Sequence, residues 1–227
     1  MTERAAPSES TETKPSWLGD DSWPTDLFPA RRPLLFVVSG PSAVGKDAVI
    51  DALKREKFPF HYVVTATTRP PREGEVDGVH YHFLTPERFA ALREAGGFLE
   101  WANVHGREYG SPKQQVLDAL AAGQDVLLKI DVQGAAQVKA RVPGVVFIFI
   151  GPPSFDELVK RLEGRDGPRA ADREVRIANA RKELAAATEY DYVVINRQGR
   201  LAEAAAEVKA IIQAERLRVR VRECQLG

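Results

Sequence analysis

Leu34-Leu35-Phe36-Val37-Val38-Ser39-Gly40-Pro41-Ser42-Ala43-Val44-Gly45-Lys46-Asp47 decides how the chain is read. Its first five residues are a continuous apolar run, the mark of a strand buried on both faces of a parallel sheet. Residues 40–46 then fit the first seven places of G-x-x-x-x-G-K-[ST], and a helical pattern begins at Asp47. Each part has a physical task in holding phosphate groups. The glycines let the backbone wrap with its N–H groups inward, the helix start adds its positive dipole end, and Lys46 reaches the β and γ phosphates. A strand before the loop and a helix after it argue against a chance glycine-rich turn. Asp47 stands where the motif has a Ser or Thr hydroxyl for Mg²⁺. A carboxylate is also a good Mg²⁺ ligand, but it brings negative charge next to the phosphates.

Outward from this loop, apolar runs recur at residues 126–128, 145–150 and 192–195. Helical patterns at 47–56, 112–122, 133–140, 154–163 and 172–188 separate them, and an amphipathic helix follows from about residue 201. This alternation predicts an α/β fold around a central parallel sheet. Between Tyr62 and Tyr109 the strand-like pieces are short, alternating and rich in Thr, Tyr and Phe, which predicts a small mixed insertion beside the main sheet. Among residues 1–30, twelve are Pro, Ser or Thr and six are acidic, with no apolar period, so this stretch is expected to be a mobile tail.

The 227 residues are 44% hydrophobic and 28% charged, ordinary values for a globular enzyme or binding domain. Lys+Arg and Asp+Glu both number 32, which excludes a broadly basic nucleic-acid coat or a polybasic membrane anchor. Cys224 is the only cysteine, so no intrachain disulfide can form. The longest apolar run is far too short to cross a bilayer, and no basic-then-apolar signal opens the chain. A cytoplasmic protein without nucleic-acid or membrane partners is expected.

A second cluster is Thr65-Ala66-Thr67-Thr68-Arg69-Pro70-Pro71-Arg72-Glu73-Gly74-Glu75-Val76-Asp77-Gly78-Val79-His80-Tyr81. Arg69 and Arg72, held by prolines, can grip an anion bidentately, and Tyr81 adds a hydroxyl donor. Phe98-Leu99-Glu100-Trp101 and Tyr109-Gly110-Ser111 follow. Two arginines and two tyrosine hydroxyls suit a phosphate monoester. A carboxylate that accepts two N–H bonds suits the guanine edge, where N1–H and the exocyclic amine stand side by side.

With these motifs in view, residues 34–217 resemble the guanylate kinase family. The resemblance implies a P-loop NTPase fold with a core (34–60 and 112–217), a mixed α/β GMP-binding insertion (about 62–111), a helical lid (about 160–180) and a short C-terminal end (218–227). It implies transfer of the γ-phosphoryl group of ATP to GMP with Mg²⁺, by a monomer or homo-oligomer, and leaves open whether dGMP is also an acceptor. On matching positions, Thr65 would meet guanine O6 and Glu100 would read N1 and N2. Arg69, Arg72, Tyr81 and Tyr109 would take the GMP phosphate, with Ser111 and Asp131 supporting the guanine side. Gly40, Pro41, Ser42, Ala43, Val44, Gly45, Lys46 and Asp47 would hold ATP, with Asn196 near the adenine. Lys160-Arg161-Leu162-Glu163-Gly164-Arg165 matches the start of the lid, and Arg176 falls on the next helix. Lys46, Arg161, Arg165 and Arg176 would then neutralise charge on the transferring phosphoryl group, which is most of what phosphoryl transfer demands.

Two departures from the family's pattern point at each other. The family often has Asp-x-Asp before the Gln-Gly turn, and here the stretch is Lys129-Ile130-Asp131-Val132-Gln133-Gly134. One acid is gained at Asp47 and one acid has become Lys129, so the two are expected to lie together, with Asp47 ionised, on Mg²⁺ and held by Lys129. After Asn196 come Arg197-Gln198 in place of the family's usual acids. Two rival readings fit the residues less well. A catalytically silent module binding a protein partner would typically lose the loop, which is intact. A sugar-phosphate kinase would not need Thr65, Glu100 and the cluster from Arg69 to Tyr81. His80 and His82 alternate on a short strand and read as an exposed strand face, not a metal site. The alternating apolar and basic residues 217–222 read as a solvated helix end, and Cys224 has no catalytic context.

Overall fold

The computed structural model describes residues 32–104, 106–166, 170–220 and 222–226, without side chains at 165, 166 and 170–173. The expected tail at 1–30 and His105 lie outside the described residues. The first half of the chain forms β1 (Leu35–Ser39), α1 (Lys46–Arg55), β2 (His61–Tyr62), β3 (Ala66–Thr67), β4 (His82–Phe83), α2 (Pro86–Glu94), β5 (Phe98–Val104) and β6 (Arg107–Pro112). The second half forms α3 (Lys113–Ala121), β7 (Val126–Lys129), α4 (Val132–Arg141), β8 (Val146–Gly151), α5 (Phe155–Asp166), α6 (Ala170–Ala185), β9 (Tyr192–Ile195) and α7 (Leu201–Arg216).

Five strands make a parallel sheet in the order β2-β7-β1-β8-β9. The apolar run at β1 sits at its centre because it is covered twice. Phe36 and Val38 belong to a core layer with Ile50 and Leu53 of α1 and Val208 and Ile212 of α7. Leu35 and Val37 point the other way, into a layer with Val116, Leu128 and Val138. Each such buried side chain contributes about 1.5–3 kcal/mol, so an unbroken apolar run is what a doubly covered strand requires.

The insertion is a second sheet, β4-β3-β6-β5, antiparallel at β3–β6 and β5–β6 and parallel at β3–β4. Phe89 stacks on Phe98 with ring centroids 4.5 Å apart, forming its own small core with Ala66. α2 starts where Thr85 accepts the Arg88 N–H at 3.3 Å and Pro86 takes the first turn.

Four expectations need correction. Tyr62 lies in the main sheet, because the His61 N–H donates to Asp125 O at 2.7 Å and β2 pairs with β7, so the insertion begins after it. His80 and His82 share no strand face. Only His82 is in β4, while His80 sits in the preceding turn with Nδ1 accepting the Val76 N–H at 2.9 Å. The helix expected at 172–188 ends at Ala185, and a short 3₁₀ turn fills Ala186–Glu189. The end at 217–222 is solvated over 217–220, as expected, but it is not helical, since α7 stops at Arg216. From Arg222 the chain packs back on the domain, with Glu223 O 2.1 Å from where a Cβ on Gly144 would stand. Buried Glu215 accepts from Tyr192 OH at 2.6 Å, Arg222 Nε at 3.1 Å and Arg218 at 3.2 Å.

Candidate active site

The phosphate loop joins β1 to α1, with positive φ at Gly40, Ala43 and Gly45. Two of these places are closed to a side chain on steric grounds as well. A Cβ on Gly40 would stand 2.2 Å from Ile150 O, and one on Gly45 would stand 2.4 Å from Asn196 Nδ2. Asn196 is buried and donates to Val44 O at 2.8 Å. Arg161 donates to the same carbonyl at 3.2 Å, to Asn196 O at 2.9 Å and to Glu157 at 2.5 Å. Asn196 and Arg161 thus both hold the loop at the Val44 carbonyl. Lys46 Nζ spans the loop, donating to Gly40 O at 2.7 Å and Pro41 O at 3.0 Å. Desolvation lowers its pKa to about 8, although Asp47 and Glu183 pull the other way. The Ser42 N–H donates to Glu183 Oε2 of α6 at 3.1 Å.

Lys129 ends β7 opposite Val38 of β1, which places it at the root of the loop. Its Nζ forms an ion pair with Asp47 Oδ1 in the first turn of α1, so the two departures from the usual pattern do meet. The Lys129 side chain is 12% exposed and that of Asp47 62%. Burial works against the ammonium charge, but Tyr62, Asp47 and Tyr81 outweigh it and hold Lys129 above its ordinary range. Its Nζ also lies 5.5 Å from the Tyr81 ring centroid.

Arg69 approaches the same ring to 5.3 Å. Its guanidinium is engaged bidentately by Glu75 at 2.8 and 2.9 Å, and it interacts with Tyr109, whose ring meets that of Tyr81 edge-on. The Arg72 N–H donates to Glu75 Oε2 at 2.7 Å, and its side chain is exposed. Glu100, on β5, is only 3% exposed and accepts from Ser111 Oγ at 2.5 Å. Desolvation pushes its carboxyl up to about 7, with Ser111 opposing the rise and Asp131 adding to it. Asp131 caps α4, accepting the Gly134 N–H at 2.7 Å. A Cβ on Gly134 would stand 2.3 Å from Glu100 Oε2, so glycine makes room for the carboxylate. Thr65 Oγ1 is buried and has no hydrogen-bond partner among the described residues.

Most of the residues singled out in the sequence therefore fall into connected sets. Glu100, Ser111 and Asp131 form one, Arg69, Tyr81 and Tyr109 another, and Lys46, Asp47 and Asn196 a third. Arg176 is half-buried on α6, and the Arg165 side chain lies outside the described residues. Three contributors escaped the sequence reading. Glu75 and Gly134 lie inside quoted motifs without a named role. Glu183 has a readable signal, since it follows Arg176 by seven residues, two helical turns on one face.

Among the described residues, no group of three or more His, Cys, Asp or Glu could hold a metal ion. Mg²⁺ does not require one, because it is commonly held by one or two carboxylates plus substrate phosphates. Asp47 is a carboxylate at the fitting place.

The guanylate kinase family profile matches residues 31–215. A guanylate kinase of Frankia casuarinae is 50% identical over 173 residues, covering 75% of this chain and 92% of that protein. The chloroplastic/mitochondrial guanylate kinase 2 of Oryza sativa is 44% identical over 197 residues, 86% of this chain and 69% of the relative. The crystal structure of guanylate kinase from Anaplasma phagocytophilum matches with a TM-score of 0.65 at 30% identity, over 85% of this chain and 90% of that one. With the central parallel sheet and the phosphate loop at its C-terminal edge, the fold is that of a P-loop NTPase, and the chain belongs to the guanylate kinase family.

Proposed function

We propose that the chain transfers the γ-phosphoryl group of ATP to GMP, giving ADP and GDP, within purine nucleotide metabolism. Glu100 carries the choice of acceptor. A buried carboxylate with Oε1 on Ser111 and Oε2 pressed toward Gly134 is a preorganised acceptor for the two parallel N–H donors of guanine. The buried, unpartnered Thr65 hydroxyl supplies the donor that guanine O6 needs. GMP selects the ionised form of Glu100, so its binding releases a proton wherever the free enzyme holds one.

Lys46 exchanges the Gly40 and Pro41 carbonyls for the β and γ phosphates, while the loop N–H groups cradle them. Mg²⁺, when bound with ATP, neutralises charge on the phosphate oxygens, and Asp47 would hold it. Arg69 exchanges Glu75 for the GMP phosphate, joined by Arg72, Tyr81 and Tyr109. The sheet and helix within about 62–111 then serve as the GMP-binding insertion. The segment at about 160–180, with Arg161, Arg165 and Arg176, serves as a lid that excludes water. No helix among the described residues is long and apolar enough to cross a membrane, and the reaction is read as one of the cytoplasm.

The test is ADP release at fixed MgATP with GMP, dGMP, AMP or ribose 5-phosphate as acceptor. Efficient turnover with the guanine nucleotides alone is expected. AMP used as well as GMP would overturn the reading.

A further inference from the structure

Lys129 touches both halves of the site. Its ammonium is paired with Asp47, one residue after the loop lysine, and stands 5.5 Å from the ring of Tyr81, which Arg69 and Tyr109 also approach. It is nearly buried, while Asp47 is largely exposed. Lys46 and Lys54 both feel the charge of Lys129 as a like-charge neighbour. A buried cation in this company needs an anion at all times, and Asp47 supplies it.

Resting on the ATP and GMP reading above, we infer that Lys129 is a shared cation coupling the two nucleotide sites: it is clamped on Asp47 while the donor site is empty, and turns to the GMP phosphate once Mg²⁺ engages the Asp47 carboxylate. A divalent ion is the largest local charge wherever it binds and competes well for a carboxylate. Losing its share of Asp47 leaves Lys129 short of an anion. The incoming phosphate monoester, held beside Tyr81 and Arg69, then satisfies it. Mg²⁺ on the donor side therefore tightens GMP binding, and GMP tightens Mg²⁺–ATP binding by the same factor.

The measurement is GMP affinity by calorimetry, with a non-hydrolysable ATP analogue present, in Mg²⁺ or in EDTA. No turnover enters, and coupling that comes from lid closure alone persists in EDTA. In the wild type, Mg²⁺ should tighten GMP binding at least fivefold beyond the EDTA value, the low end of typical coupling. Lys129→Met should reduce that Mg²⁺ increment to about one, whereas Lys129→Arg should keep most of it. A purely structural role would instead weaken GMP equally in both buffers, and that result overturns the inference. So does a wild type without the increment. Asp47→Asn is the second variant. By releasing Lys129 from the start, it should tighten GMP binding severalfold with no Mg²⁺ or ATP analogue, and unchanged or weaker binding overturns the inference too. A wild type that binds neither GMP nor the analogue overturns the functional reading itself, a result distinct from normal binding without the Mg²⁺ increment.

Discussion

On the proposed reading, Glu100 is a single residue that is costly to the fold and put to use in the chemistry. Its carboxyl is pushed from 4.5 up to about 7, chiefly because the fold takes it out of water. The unfolded chain ionises near pH 4.5 and the folded chain only near 7, so stability present below 4.5 is lost as pH rises through 7. At about 1.4 kcal/mol per pH unit, the loss is on the order of 3 kcal/mol. Glu100→Gln should therefore be more stable than wild type at pH 8, with the gap closing toward pH 4, as followed by urea midpoints. The same variant should lose at least tenfold in kcat/KM for GMP, because an amide presents a donor to guanine donors and leaves buried groups unpaired. Wild-type stability and turnover at pH 8 would contradict both halves. In the wild type, KM for GMP should rise as pH falls below 7, with KM for ATP little changed. Gly134 extends the argument. A helical Gly→Ala change normally stabilises by roughly 0.5–1 kcal/mol, but here the new Cβ would strike the Glu100 carboxylate. Gly134→Ala should raise KM for GMP severalfold, and an enzyme with unchanged GMP kinetics would show that Glu100 moves aside freely.

Among the elements, legibility followed burial. β1, β7, β8 and β9 were readable because parallel strands covered on both sides must be apolar throughout. The phosphate loop was readable because its glycines and lysine each answer a backbone or charge requirement. β2, β3 and β4 have two residues each, too few for any period to register, and their partners are distant in sequence. That is why Tyr62 was assigned to the wrong sheet and His80 to a strand. Side-chain pairings across elements were hidden for the same reason, with Asp47 and Lys129 the exception, since two compensating departures in charge pointed at one place. Glu183 on α6 was not foreseen. Its carboxylate accepts the Ser42 N–H, a donor of the loop meant for phosphate, and its charge acts on Lys46. On the proposed reading, a phosphate held by the Ser42 N–H would compete with this carboxylate. Removing that charge should tighten binding of an ATP analogue to Glu183→Gln about fivefold, the equivalent of roughly 1 kcal/mol for a partly exposed charge. Equal or weaker binding in an equilibrium titration would show that the contact does not compete with phosphate.

For the molecule as a whole, the phosphate loop sits at one end of the main sheet's strands and residues near the chain's end are fastened at the other. The loop follows the C-terminal end of β1, and Gly40 packs on Ile150 near the end of β8. Arg222 instead donates to Val145 O at 3.3 Å, just before β8 begins, and to Asp191 before β9. The strand between spans about 20 Å at 3.3 Å per residue. The fastening centres on Glu215, whose side chain is fully buried. Burial opposes its charge, yet donors from Tyr192, Arg222 and Arg218 prevail and hold its carboxyl below the usual range. Cys224 and Leu226 add apolar contact to the second core layer. Nothing in the alternating apolar and basic residues of this end reveals the docking, because the anion that gathers Arg218 and Arg222 lies before them in α7 and takes its third donor from Tyr192, 23 residues away in sequence. Glu215→Ala would leave Arg222 and the Tyr192 hydroxyl facing an empty buried place, and breaking a buried pair by removing one partner costs about 3–5 kcal/mol. At roughly 2–4 °C per kcal/mol for a chain of this size, Tm should fall by about 10 °C. Turnover of GMP at 25 °C should stay near wild type, since the cluster lies at the edge of the sheet away from the loop. A variant with unchanged Tm would mean that the fastening contributes nothing to stability, and one with normal Tm and reduced kcat would mean that this edge communicates with the site.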